Sequence, residues 1–173
     1  MAGSLHTSLQ KKIANLKRMR TTLPVKLANA SRNFFVASWD RQAWLDAGLE
    51  SWPPRARETK RSKGKAILVD RGFLRRAVRN SIREVNWNKV RLVVDLPYAA
   101  IHNDGGEISH SARESVIHFD KKKKFSTIKK ANTAMKVNKG AHTQTVPKRQ
   151  YMGNSRTLTA IHIDIIKKEM QML

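Results

Sequence analysis

Apolar residues recur at helical intervals through the first forty positions. Leu5, Leu9, Ile13 and Leu16 line one face, with Lys11, Lys12, Lys17 and Arg18 off the stripe, and together they predict an amphipathic helix. Thr21-Thr22-Leu23-Pro24 reads as a break and restart, with Thr22 capping and Pro24 in the first turn of the next element. Leu27, Ala30, Phe34, Phe35 and Ser38 continue a helical face. The spacing is equally compatible with two helices and with one long kinked helix.

Between Trp39 and Lys65 the periodicity dissolves into a long loop anchored by Trp39, Trp44 and Trp52 and broken by Gly48, Pro53 and Pro54. Ile67-Leu68-Val69 is a short apolar stretch. Ile82, Val85 and Trp87, then Val90, Leu92 and Val94, predict a hairpin turning at Asn88-Lys89. Pro97 to His102 reads as a short helix or turn closed by Gly105-Gly106, one of which takes the left-handed conformation that ends it. On that turn Tyr98 and Ile101 are expected to be buried together, with Ala99 and Ala100 allowing close approach. Ser155 is placed to cap a C-terminal helix whose face is Leu158, Ile161, Ile165 and Met172. Lys167 and Lys168 sit near its end, where the helix dipole favours cations.

From Ile108 to Thr145 the pattern weakens and lysines accumulate. Lys121, Lys122, Lys123 and Lys124 run consecutively, followed by Lys129 and Lys130, and only Val116 to Phe119 reads as a strand. Residues 109–145 are therefore expected to form a solvated insertion or arm, disordered in the free subunit, whose lysines contact a polyanion. The expected fold class is α+β: N-terminal helices (1–38) and a C-terminal helix (155–173) on a small, mainly antiparallel sheet from residues near 67–95 and 116–119. The 173 residues fit a single domain carrying this arm.

Charge sharpens the picture. Thirty-five Lys and Arg against 13 Asp and Glu leave a formal net charge of +22, an excess that needs a polyanion or acidic surface to screen it. There is no cysteine, which excludes disulfides and thiolate metal sites. No apolar run is long enough to span a bilayer, and the N-terminus lacks the pattern of a signal peptide, so synthesis in the cytoplasm is expected.

Catalysis has little to draw on. His102-Asn103-Asp104 invites comparison with a nuclease His-Asn pair, but the acidic residues are scattered, His110 and His118 are separated by unpatterned sequence, and His142 stands alone. Gly105-Gly106 is no phosphate loop, and no serine sits in a nucleophile elbow. A protein that is not an enzyme, with no cofactor or metal, is therefore expected. A nucleic-acid-binding protein, and behind it a metal-dependent nuclease, are the alternatives.

Four stretches, in order, resemble the phage virion morphogenesis family, which includes the tail-completion proteins of Mu-like phages. They are Trp52-Pro53-Pro54; Ile67 to Arg75 with its Ile-Leu, Gly and Leu; Pro97 to Gly106, similar to the family's Tyr-Ala-x-Ile-His-x-x-Gly-Gly; and Val146 to Ser155, similar to Ile-Pro-x-Arg-x-Phe-Leu-Gly-x-Ser. The chain departs from the pattern with Arg71 for Thr, Tyr151-Met152 for Phe-Leu, and a longer 109–145 stretch. The resemblance marks Tyr98, Ala99, Ile101, His102, Gly105, Gly106, Arg149 and Gly153 as structural motif positions. It implies a virion protein of the tail or neck, acting in tail completion and head–tail joining as a homo-oligomeric ring, with a hexamer expected. Other neck and tail proteins are its implied partners, with DNA met through the basic arm and no membrane involved.

Overall fold

The N-terminal stripe and the apolar face that follows it belong to one helix. In the computed structural model α1 runs from Ala2 to Arg41, about 60 Å at 1.5 Å per residue, with Pro24 inside it. The structure describes residues 2–60, 62–122, 124–125, 127–128 and 132–172, and side chains from residue 6 onward. Thr21 and Thr22 do not cap a new helix. Their hydroxyls donate back to the Arg18 carbonyl at 2.8 and 3.1 Å, as mid-helix threonines do. Pro24 costs the helix one backbone hydrogen bond. Tertiary contacts hold the helix together there, because Leu23 and Pro24 are buried and the C-terminal helix α4 (Arg156–Met170) packs alongside.

Helices α1 and α4 are antiparallel, since the pairs between them descend along one as they ascend the other. Ser31 Oγ meets His162 Nε2 at 2.9 Å, Lys26 pairs with the buried Glu169, and Asn15 Nδ2 donates to the Met172 carbonyl at 2.9 Å. The inward face of α4 is thus Leu158, His162, Ile165 and Glu169. Ile161 and Met172 were expected on that face and are exposed. Two polar residues were displaced from the sequence reading because their partners lie on α1, where α4's own sequence cannot show them.

The stretch after Trp39 is more ordered than a loop. Trp39 lies within α1, and a hairpin of β1 (Ala43–Leu45) and β2 (Leu49–Ser51) follows, with Trp44 paired opposite Glu50. Phe34 meets Trp44 edge-on at 5.6 Å, Trp39 meets Trp52 edge-on at 5.6 Å, and Trp39 lies 5.0 Å from Tyr151. These aromatic rings, with Leu74, Val78, Ala99 and Leu158, form the core. Edge-on aromatic pairs add about 0.5–1.5 kcal/mol each beyond area burial.

The expected sheet is a set of separate two-stranded ladders. Ile67-Leu68-Val69 forms a turn, not a strand, and leads into α2 (Phe73–Arg79). Strands β3 (Ile82–Val85) and β4 (Val90–Leu92) pair antiparallel. Asn86 pins their turn by accepting from the Asn88 and Lys89 N–H groups at 3.0 and 2.8 Å. The short helix α3 (Ala99–Asp104) completes the first compact unit, residues 1–104 and 147–173. The α+β class holds.

Residues 105–146 make a second compact unit. The backbone there pairs where the sequence reads a solvated arm: β5 (Gly106–His110) with β8 (His142–Val146), and β6 (Arg113–Phe119) with β7 (Thr133–Lys139). Opposite Ser115, Ile117 and Phe119 stand Val137, Met135 and Thr133, so one face of this ladder is largely apolar. The alternation in β7 was hidden by lysines at every third position or so, which dilute the period-two signal.

Candidate functional site

Three of the motif stretches that the sequence singles out meet at one place in the first unit. Helix α3 supplies the carbonyls and one amide, the 147–155 segment wraps over them, and Trp52-Pro53-Pro54 closes the third side. The Arg149 N–H donates to the His102 carbonyl at 3.0 Å, and its guanidinium donates to the Pro53 and Pro54 carbonyls, both at 2.9 Å. The Trp52 indole N–H reaches the Gln150 carbonyl at 2.7 Å. Two prolines in a row lack N–H groups, so their carbonyls are free to take an external donor.

In the sequence Asn103 reads only as part of a nuclease-like His-Asn pair, with no structural role. It stands at an unspecified position of the family-like pattern, yet its Oδ1 accepts from the backbone N–H groups of both Tyr151 and Met152 at 3.0 Å. Tyr151, only 2% exposed, donates its hydroxyl to the Ala99 carbonyl at 2.8 Å. Burial pushes the Tyr151 phenol well above its usual range, with Asp104 and Tyr98 adding to the effect, so it stays a neutral donor. Tyr151, not Tyr98, is therefore the buried aromatic of the motif.

Tyr98 was expected in the core and is 39% exposed, its ring edge-on to His102 at 6.0 Å. Ile101 is half-buried, and Ala99 is buried as the close approach requires. Gly105 takes φ 73°, the left-handed turn that ends α3, and Gly106 has φ 145°. At Gly153 (φ 140°) an added Cβ would sit 2.8 Å from the Gln150 side chain, in a conformation that side-chain-bearing residues rarely adopt.

Beside this knot lies an open groove of about 660 Å³. Its walls are the turn and start of α2 from Ile67 to Leu74, with Tyr98, His102, Arg55 and Arg149 opposite. Leu68 lines it at φ 57°, a left-handed conformation costing on the order of 1 kcal/mol for a residue with a Cβ. Burial, then the nearby Arg149 charge, lower the His102 pKa, and its Nδ1 is buried without a hydrogen-bond partner. With that Nδ1 unpartnered, no carboxylate holds it to orient the ring as a base would require.

The histidines expected to stand apart do not all do so. His110 and His142 pair across β5 and β8 with rings stacked at 4.6 Å. Even so, no group of three or more His, Cys, Asp or Glu able to hold a metal occurs among the described residues. Lys121, Lys122 and Lys124 are exposed at the end of the β6–β7 ladder, where Asp120 Oδ1 accepts from the Lys122 and Lys124 amides at 2.8 and 2.9 Å. Lys123, Lys129 and Lys130 lie outside the described residues. Among the described residues, no helix is long and apolar enough to cross a membrane.

The hydrogen bonds that join the segments of this knot each satisfy a backbone group. The motif's job in this chain is to hold α3, the proline pair and the start of α4 in register. The model of the phage virion morphogenesis family matches residues 4–171. No curated protein and no solved structure matches the chain. With nearly its whole length covered, the chain belongs to the phage virion morphogenesis family.

Proposed function

We propose that the chain is a tail-completion or neck subunit, acting without catalysis in phage tail assembly and head–tail joining. The observation that carries this reading is the family match over residues 4–171, joined to a motif whose polar side chains are spent on backbone hydrogen bonds. The subunit works as a homo-oligomeric ring, with six copies expected, and resides in the virion at the tail end that meets the head. A closed ring needs a heterologous interface on each copy.

The lysine-bearing ribbon of residues 105–146 is the part proposed to meet a polyanion, either packaged DNA or an acidic neck or tail protein. A two-stranded ribbon is marginal on its own in water, so a covering partner would stabilise it. Its lysines would add counterion release, which weakens steeply as salt rises.

Complementation tests the reading. Purified subunit is added to extracts in which heads and tails form but this chain is missing, and infectious particles are counted. Wild type should restore them, and replacing Lys121, Lys122, Lys123 and Lys124 with Gln should lower the yield in a salt-dependent way. Normal head–tail joining without the chain would overturn the role, and unchanged yield from the Gln variant would remove the ribbon's lysines from it. Metal-dependent cleavage of plasmid DNA that disappears in His102→Ala would instead establish a nuclease.

A further inference from the structure

The first half of α1 carries an apolar seam that is exposed. Leu9, Ile13 and Leu16 are 59%, 44% and 48% exposed. Helix α4 does not shield them, since its end reaches α1 at Asn15, which faces Met172 from another side of the helix. Thirteen residues of α1 precede that contact and carry the exposed stripe beyond the part of the helix that α4 packs against.

The seam has heptad spacing. With Ile13 at an a position, Leu9 and Leu16 fall at d, and Leu23, the next d position, is already buried in the subunit. Ile at a with Leu at d is the combination that favours two strands. Lys12 is the g position inside the seam, Gln10 and Lys17 are the e positions, and His6 and Arg20 occupy the a positions on either side of Ile13. No Asp or Glu occurs before Asp40.

Those flanks decide the partner. In a parallel pair the g residue of one helix faces the e residue of the next heptad on its mate, so two copies would set Lys12 against Lys17. An antiparallel pair of copies would set like positions, and again lysines, opposite each other. Self-pairing is disfavoured in both orientations. Duplex DNA would use the lysines but leave the Leu-Ile-Leu seam in water.

We propose that the N-terminal half of α1 is a docking helix that forms a short two-stranded coiled coil with an amphipathic helix of another protein, one bearing apolar residues at a and d and acidic residues at e and g. Pro24 marks where the helix passes from this interface to the packed interior of the subunit. The claim is independent of the role proposed for the ribbon and its lysines.

The test uses the full chain and two synthetic three-heptad peptides, both with Ile at a and Leu at d, one with Glu and one with Lys at every e and g. Affinities are measured by fluorescence anisotropy near physiological salt, where non-local charge effects are largely screened. The Glu peptide should bind wild type, and Ile13→Asn should weaken it about tenfold or more, with an unchanged melting temperature because Ile13 is exposed. Lys12→Glu with Lys17→Glu should cut the Glu peptide's advantage over the Lys peptide about tenfold. That double change lowers the formal net charge by four, from +22 to +18, and leaves most of the chain's non-local attraction for an acidic peptide in place. Equal binding of the Glu peptide by wild type and either variant would overturn the proposal. So would sedimentation showing that wild type dimerises through Ile13, or duplex DNA binding that Ile13→Asn abolishes.

Discussion

Removing the side chain of Asn103 should damage the fold more than its half-exposed surroundings suggest. Its Oδ1 is the acceptor for two consecutive backbone N–H groups, those of Tyr151 and Met152, each at 3.0 Å. Two donors aimed at one atom identify it as the amide oxygen. In Asn103→Ala both N–H groups lose their partner, and that of Tyr151 belongs to a residue almost wholly removed from solvent. A neutral hydrogen bond contributes about 1 kcal/mol net, and a buried donor left unpaired costs about 1–3 kcal/mol. The expected loss is about 2–4 kcal/mol, which lowers the melting temperature by about 5–15 °C in a domain of this size. Asn103→Asp keeps the acceptor but forfeits the amide's bond to Asp104 Oδ1 at 2.7 Å and sets two carboxylates side by side. It should fall between wild type and Ala, near 1 kcal/mol of loss. Urea titration followed by far-UV circular dichroism gives both values. If Asn103→Ala unfolds within about 0.5 kcal/mol of wild type, the knot is not held from α3 and the account of the motif given above fails.

Tyr151→Phe should cost about 1–1.5 kcal/mol by urea titration, because only the hydroxyl bond to the Ala99 carbonyl is lost while the ring still packs against Trp39. Ser155→Ala should cost about 1–2 kcal/mol in the same assay, since its hydroxyl both accepts from the Leu158 N–H and donates to the Leu45 carbonyl. Stability should fall as pH drops from 7 towards 5. Burial lowers the pKa of His102 and of His162, so below about pH 6.5 the unfolded chain binds protons that the folded one does not. Melting curves across that window should flatten when both are replaced by Asn. An unchanged slope would mean that neither imidazole is held neutral.

Several features of this chain were fixed locally and could be read from its sequence. The Leu9-Ile13-Leu16 stripe, the β3–β4 hairpin, the Ser155 cap and the left-handed glycine after α3 each depend on residues a few positions apart, where periodicity and turn chemistry operate. The family-like motifs were legible for the same reason, as ordered short strings. What those strings do was not. Asn103 is an ordinary residue until Tyr151 and Met152, nearly fifty positions away, present two N–H groups to it. Arg149 gives no sign that its charge ends on proline carbonyls. His162 and Glu169 read as solvent-facing until Ser31 and Lys26 on α1 receive them. Tyr98, expected in the core, is exposed while Tyr151 is enclosed, because burial depends on which ring the aromatic cluster of Trp39 and Trp52 can enclose. Pro24 reads as a helix start, yet packing against α4 carries the helix through it, since tertiary burial outweighs the single backbone bond that proline removes. Local sequence set the elements and their ends; only the assembled structure decided which polar groups could be buried, because a buried donor or acceptor is acceptable only where a distant partner meets it.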